Sequence, residues 1–305
     1  MDRKPGVVSV IGATGFVGRH VVARLQECGY TVRAVSRHGT RRADWADSVQ
    51  PLAANVETGA GLGAAMVGAD AVVHLVAIPR ESDGRTFAAV NVDGVRNVLQ
   101  AMRAAGVRRI VHLSVLGVTD EPGYRYLSSK WRGEKLVRES GLDWVVLRPS
   151  IMFGPGDGFF RLIDTTLRWW SPGVVAIPAT GTVRFQPLAA ADLAVAVERC
   201  LAEPARAGSV YELGGPDYLT YPQLVDAVMA ATDRRRLKLP VPVPLLRALT
   251  YVSDRVLPVF PVSHDQVASL GRPNYTDADA FQATFGIAPR PLNLSYLSQD
   301  GGAAG

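Results

Sequence analysis

The chain has 305 residues, 48% hydrophobic and 20% charged, and carries a formal charge of +5. Such a composition suits one large soluble domain, or a domain with a smaller partner, and excludes global disorder. The basic excess is dispersed apart from short clusters such as Arg41-Arg42 and Arg234-Arg235-Arg236. With no basic stripe interleaved with aromatics, nucleic acid is not an expected partner.

The N-terminus "MDRKPGVVSV" runs directly into a strand and lacks the apolar stretch of a secretory signal. From residue 7 to about 150, short Val/Ile/Leu/Ala-rich runs alternate with longer amphipathic segments. This is the pattern of strand–helix crossover units and a parallel sheet buried on both faces. Strands are expected at 7–11, 31–36, 49–53, 71–76, 109–113 and 144–147, and helices at 16–28, 60–67, 86–105 and 126–140. The third strand is short and contains Pro51.

After Pro149 the alternation becomes irregular and richer in Gly and Pro, which implies a smaller, partly helical region folded against the strand ends. The expected division is 1–150 and 151–300, the two interleaved in one compact unit. Helix starts are legible at Thr220-Tyr-Pro-Gln223, Ser263-His-Asp-Gln266 and Thr276-Asp-Ala-Asp279, each with a capping hydroxyl three residues before a group able to reach back to the free amides. The tail "GGAAG" reads as disordered. The apolar stretch 239–260 is interrupted by Arg247, Asp254, Arg255 and prolines, and should not span a bilayer. Only Cys28 and Cys200 are present, so a disulfide scaffold is not expected and a reducing, cytoplasmic setting is the default. The five histidines have no metal-ligand spacing among themselves or with a cysteine, and no metal is expected.

The stretch "VVSVIGATGFVGRHVVARL" places Gly12, Gly15 and Gly18 directly after an apolar strand and at the start of a helix. Gly12 permits a tight turn, Gly15 lets backbone amides approach a pyrophosphate, and Gly18 lets the helix pack close to the strand. The spacing is G-x-x-G-x-x-G rather than G-x-G-x-x-G. The candidate phosphate-binding set is Gly12, Thr14, Gly15, Phe16, Val17 and Gly18. At the end of the second strand, an acidic side chain would bind the ribose hydroxyls of NAD, and a cation would accommodate the 2′-phosphate of NADP. Here Ser36 is followed by Arg37, with no carboxylate until Asp44. NADP(H) is therefore favoured over NAD(H), with Arg37 as phosphate clamp and Ser36 as hydroxyl donor.

The segments "GATGFVG", "ADAVVHLVA", "NVDGVRNVLQA", "YLSSK", "LRPSIMFGPGD", "ADLAVAV" and "YELGGPDYLTYPQLV" follow one another as in the extended and atypical short-chain dehydrogenase/reductases. The chain resembles that family over about 7–290. Within it, the closest resemblance is to the branch of the respiratory complex I accessory subunit and its stand-alone bacterial relatives. The resemblance implies an α/β fold: a Rossmann-type, doubly wound parallel sheet with a small C-terminal α/β substrate region. It also implies that the backbone around Ala77 faces the cofactor. Asn55 stands where relatives often carry an aspartate beside the adenine, Asn91 is the helix asparagine that helps to order the site, and Pro149, Ser150 and Ile151 flank the nicotinamide.

The same resemblance assigns Tyr126 and Lys130, spaced i and i+4 on one helix face, as an acid–base pair. In the family the lysine holds the nicotinamide ribose and lowers the tyrosine pKa. The third member, a Ser or Thr after the fifth strand, is displaced. Ser114 stands one residue early and Val115 occupies the usual position, where it cannot donate a hydrogen bond. Three outcomes are open: Ser114 substitutes through a local shift, Tyr126 and Lys130 work alone, or the chain only holds the nucleotide. Downstream, Phe159, Phe160, Trp169, Trp170 and the 239–260 segment supply either an apolar pocket or the core of the small region. Asp192 reads as a helix cap rather than a catalytic acid.

Two functions result. One is an NADP(H)-dependent oxidoreductase or epimerase acting on a small, fairly apolar hydroxyl or carbonyl substrate. The other is a nucleotide-holding accessory or assembly protein, associated peripherally with a membrane complex through 239–260.

Overall fold

The computed structural model describes residues 6–169, 173–179, 183–256 and 264–299. In chain order the elements are β1 (Val7–Ile11), α1 (Phe16–Glu27), β2 (Thr31–Ser36), β3 (Val49–Ala53), α2 (Leu62–Met66) and β4 (Ala71–His74). A π-helical stretch (Ala88–Asp93) then runs into α3 (Gly94–Ala104), followed by β5 (Arg109–Leu113), α4 (Arg125–Arg138) and β6 (Asp143–Pro149). Next come β7 (Met152–Phe153), α5 (Phe159–Trp169), β8 (Val174–Ala179), β9 (Arg184–Phe185), β10 (Leu188–Ala189), α6 (Ala190–Ala202) and β11 (Ser209–Leu213). The last are β12 (Leu219–Thr220), α7 (Tyr221–Ala231), β13 (Leu237–Pro242), α8 (Val243–Val256), α9 (His264–Ser269), α10 (Ala280–Phe285) and α11 (Tyr296–Gln299).

The central sheet has seven strands in the order β11-β6-β5-β4-β1-β2-β3, and its pairs from β6 to β3 are all parallel. From β1 the chain winds outward through β2 to β3, then returns to the other side of β1 for β4, β5 and β6. The order thus reverses between β1 and β4, and the crevice of a doubly wound sheet opens at the carboxyl ends of those two strands. Pro51 is tolerated in β3 because that strand is the edge and a proline lacks the ladder donor. Successive residues alternate faces. Ile11, Val72, Ile110 and Val146 enter one core with α2, α3, the π-helical stretch and α4. On the other face α1 and α6 pack against each other, and Arg24 of α1 reaches Glu198 of α6 at 3.4 Å.

Contacts divide the chain into two units. The first holds residues up to Asp120, Arg125–Pro149 and Ala190–Glu212; the second holds Glu121–Tyr124, Ser150–Ala189 and the chain from Leu213 onward. A single boundary at 150 therefore does not describe the molecule, because α6 and nearly all of β11 return to the sheet. In the second unit β7 pairs with β10, β9 with β12 and β8 with β13. Phe160, Phe153, Phe185 and Leu224 build its core, so Phe160 is core packing rather than pocket lining. The capping box at Thr220 and Gln223 forms as expected. Thr276 does not cap a helix: α10 starts at Ala280, where Asp277 O takes the Ala280 amide and Asp279 O takes the Ala283 amide at 2.8 Å. Ser263, Trp170, residues 257–260 and the tail lie outside the described residues, as does the side chain of Trp169. Among the described residues no helix is long and apolar enough to cross a membrane.

Candidate functional site

The glycine loop follows β1 at the point where the sheet order reverses. Gly12 has φ +95, and a Cβ there would meet the Val76 side chain at 3.0 Å. Its amide and that of Ala13 donate to Val35 O, which ties the loop to the end of β2. Gly15 is the N-cap of α1, without a side-chain cap. The first helical acceptor, Gly15 O, takes the Arg19 amide at 3.2 Å. The amides of Phe16, Val17 and Gly18 precede it and belong to the set a helix start leaves for an outside acceptor. No acidic side chain occupies this first turn, so the positive end of the helix dipole is uncompensated there. A Cβ on Gly18 would lie 2.1 Å from Gly12 O, which is the close helix–strand approach expected of that glycine.

Beside the loop is a cavity of about 220 Å³. It brings together Gly12, Thr14, Gly15, Ser36, Arg37, Asn55 and Ala77 of the residues singled out in the sequence. The Ser36 hydroxyl is buried with no hydrogen-bond partner among the described residues, an arrangement that costs free energy unless a ligand or water completes it. Arg37 is exposed, and among the described residues it has no ion-pair partner. Its neighbours differ: Arg41 donates to Val49 O at 2.9 Å and reaches Asp47, and Arg42 pairs with Asp44 at 2.9 Å. The glycine loop, the Ser36 hydroxyl, Arg37 and a helix N-terminus thus meet at one cavity.

Asn55 caps its own turn, its Oδ1 accepting the Glu57 amide at 2.8 Å. Glu57 and Arg85, neither of them singled out in the sequence, also line the cavity and pair at 2.9 Å. Asn91 is buried rather than solvent-facing. Its Oδ1 accepts the Ile78 amide at 2.9 Å, and its Nδ2 donates to Ile78 O and Ser129 Oγ. It thereby fixes the end of the cavity wall formed by residues 75–78. It sits in the π-helical stretch, a distortion that often marks a functional segment. α4 touches that stretch closely: a Cβ on Gly133 would lie 2.4 Å from Asn91 O.

Tyr126, Lys130, Ser114 and Pro149 are not among the lining residues of this cavity. The Tyr126 ring packs against Phe87 at 5.9 Å, and its hydroxyl has no hydrogen-bond partner among the described residues. Desolvation pushes the phenol up to about 12. Lys130 is buried and donates to Leu113 O at 2.6 Å; desolvation, opposed by Glu134, lowers its ammonium to about 8. The lowered phenol implied by the resemblance is therefore not found. Burial dominates the phenol, and Lys130 is held by the main chain.

Ser114 is also not the missing donor. Its single proton goes to Glu134 Oε2 at 2.7 Å, and Glu134 is fully buried and bridged to Arg148 at 2.7 Å. Pro149 is buried at the end of β6, where its carbonyl takes the Leu116 amide at 2.9 Å. In the second unit Ser150 donates to Asn274 Oδ1 at 2.6 Å, and Asn274 Oδ1 also accepts the Ile151 amide. Asp192 is buried in the first turn of α6. Beneath α4, His74 and His112 occupy paired positions on β4 and β5 with their Nδ1 atoms 3.0 Å apart. Desolvation, with Lys130 as the lesser cause, holds His74 down to about 3 and His112 well below its usual value. Both are neutral, with one N–H between the two Nδ1 atoms.

A sequence model of a family described as NAD(P)H-binding matches residues 12–164. A ceramide reductase of Caulobacter vibrioides is 34% identical over 162 residues, 52% of this chain, and the match spans about half of that relative, 51%. NADH dehydrogenase (ubiquinone) 1 alpha subcomplex subunit 9, mitochondrial, of Arabidopsis thaliana is 26% identical over 303 residues, covering 94% of this chain and 74% of the relative. Among solved structures, an NADPH-dependent quinone oxidoreductase of Escherichia coli complexed with NADPH superposes with a TM-score of 0.73 at 20% identity, covering 96% of this chain and 98% of the other. A nucleoside-diphosphate-sugar epimerase of Staphylococcus aureus superposes with a TM-score of 0.72 at 18% identity, covering 96% and 99%. At these identities the structural likeness is one of fold.

Proposed function

The chain belongs to the NAD(P)H-binding family, and on that premise we propose that it is an NADP(H)-dependent reductase of a small, fairly apolar carbonyl compound. The observation that carries the cofactor preference is Arg37, a cation without an ion-pair partner among the described residues, in the same cavity as the glycine loop and the buried Ser36 hydroxyl, which has no hydrogen-bond partner among them. When bound, the nicotinamide cofactor supplies the hydride. The amides of α1's first turn hold the bridging phosphates, and Arg37 with Ser36 holds the 2′-phosphate.

The part proposed for the phenol follows from its protonated state. A Tyr126 hydroxyl pushed up to about 12 is protonated at neutral pH, so it is suited to donating a proton to a carbonyl oxygen rather than removing one from an alcohol. Lys130, tied to Leu113 O, keeps a positive charge on the same helix face. Val115 offers no hydroxyl and the Ser114 hydroxyl donates to Glu134, so Tyr126 is the one hydroxyl donor of the expected triad whose proton is not already engaged among the described residues.

A second reading, a cofactor-holding accessory protein, is favoured by that same commitment of Ser114 and by the near full-length similarity to a respiratory-complex subunit. Fluorescence titration with NADPH and NADH, followed by a carbonyl panel, separates the two. The reductase reading expects tighter NADPH binding, lost on Arg37→Ser, and turnover abolished by Tyr126→Phe with cofactor affinity kept. Turnover that survives Tyr126→Phe removes the phenol from the mechanism. Tight NADPH binding with no turnover across the panel favours the accessory role.

A further inference from the structure

The cavity wall contains one acidic group, the Glu57 carboxylate, and an arginine from a distant turn covers it. Arg85 Nε lies 2.9 Å from Glu57 Oε1, and both side chains are only about one-fifth exposed, 23% and 21%. Both line the cavity that holds Arg37 and Ser36. The positions of the two partners are built in. Glu57 follows a turn closed by its own amide on Asn55 Oδ1, and Asn97 Nδ2 donates to Val56 O at 2.8 Å and Glu57 O at 3.2 Å. Arg85 sits in the turn that leads to the π-helical stretch. There its amide donates to Ser82 O at 2.8 Å, and the Phe87 amide donates to Glu81 Oε1 at 2.9 Å. Neither side chain is a flexible surface group that happens to meet the other.

We infer that the Arg85–Glu57 pair is a selectivity device of the cofactor cavity: Arg85 masks the one wall carboxylate, so that a 2′-phosphorylated dinucleotide is admitted. This rests on the reading of the cavity as a dinucleotide site. A carboxylate in this wall favours unphosphorylated ribose, both by accepting from its hydroxyls and by repelling a phosphate dianion. A cavity of about 220 Å³ keeps Glu57 close enough to any phosphate bound in it for solvent ions to screen the repulsion only in part. Arg85 neutralises that charge locally, leaving Arg37 as the group that sets the sign of the potential. The adenosine end thus has two layers of recognition: Arg37 attracts the phosphate, and Arg85 removes the obstacle to it.

The two partners predict opposite effects, which separates masking from direct contact. NADPH and NADH dissociation constants would be measured by fluorescence titration for the wild-type chain, Arg85→Gln, Glu57→Gln and the double variant. Arg85→Gln unmasks the carboxylate and should shift the NADPH/NADH preference roughly tenfold toward NADH. Glu57→Gln frees the guanidinium and should shift it toward NADPH. The double variant should return close to the wild-type ratio. If Arg85→Gln weakens both cofactors equally, or the double variant keeps the full loss of the single arginine variant, the masking inference is wrong. A wild-type chain that binds neither dinucleotide overturns the cavity reading and this inference together. A wild-type preference for NADPH with ratios unmoved by all three variants overturns the inference alone.

Discussion

Lys130→Met removes a buried charge while keeping the length and most of the apolar stem of the side chain. The Lys130 ammonium is lowered from its ordinary 10.5 to about 8 in the folded chain, with desolvation as the leading cause and Glu134 opposing it. At 4% exposure the ammonium is shielded from solvent. The folded value lies below the unfolded one, so between about pH 8 and pH 10.5 the unfolded chain binds the extra proton and stability rises with pH. One pKa unit corresponds to about 1.4 kcal/mol, so the wild-type chain should gain roughly 2 kcal/mol over the methionine variant between pH 7 and pH 9.5. At pH 7 the variant loses the bond to Leu113 O, a charged hydrogen bond of about 1.5–3 kcal/mol, but also escapes the burial cost, so the two chains should be of similar stability there.

The assay is urea unfolding of both proteins at pH 7, 8, 9 and 9.5, reported as the difference between them. Taking the difference cancels the other titrations. His74 and His112 titrate below this range, and Tyr126, raised toward 12, moves stability in the opposite direction only above about pH 10. A difference that is flat or falls with pH would refute the description of Lys130 as a desolvated ammonium held by the main chain.

Gly18→Ala should destabilise the fold by about 2–3 kcal/mol and eliminate nucleotide binding, because its Cβ would need to sit 2.1 Å from Gly12 O. Gly63→Ala, on α2 with nothing within 4 Å of the new methyl, should instead raise the melting temperature slightly, consistent with about 0.5–1 kcal/mol of helix propensity. Asn91→Ala leaves the Ile78 amide and carbonyl without their side-chain partner. It should cost about 1–3 kcal/mol in denaturant unfolding and weaken both dinucleotides alike, since it loosens the wall without touching the 2′-phosphate end.

The inner parallel strands were legible because a strand covered on both faces must be largely apolar, whereas the edge strand β3, with Gln50 and Pro51, was the weakest signal. The glycine loop was legible because its geometry admits no other residue at Gly12 and Gly18. Strand ends were less so: β4 stops at His74 rather than 76, because Leu75 turns to donate to Ile11 O and begins the cavity wall. Interleaving of the two regions was expected, but not that α6 and β11 would be the elements returning to the first unit. An apolar helix such as Ala190–Ala202 records that it is buried but not against which element. Glu57 and Arg85 were missed for a related reason. Each lies in a turn without periodicity, and they meet across 28 residues of sequence. The resemblance pointed to Ser114 for chemistry, but nothing near it in the chain announced that Glu134, 20 residues on, would take its proton. A continuous helix was expected over 86–105; its first turns are π-helical, a backbone widening that side-chain spacing does not encode.

The contact at Gly133 has a mechanical corollary. A glycine resting directly on the Asn91 carbonyl leaves no side chain between the two helical segments, so any larger residue at 133 would push them apart. The helix that carries Tyr126 and Lys130 and the segment that braces the cavity wall thus share one backbone-to-backbone contact.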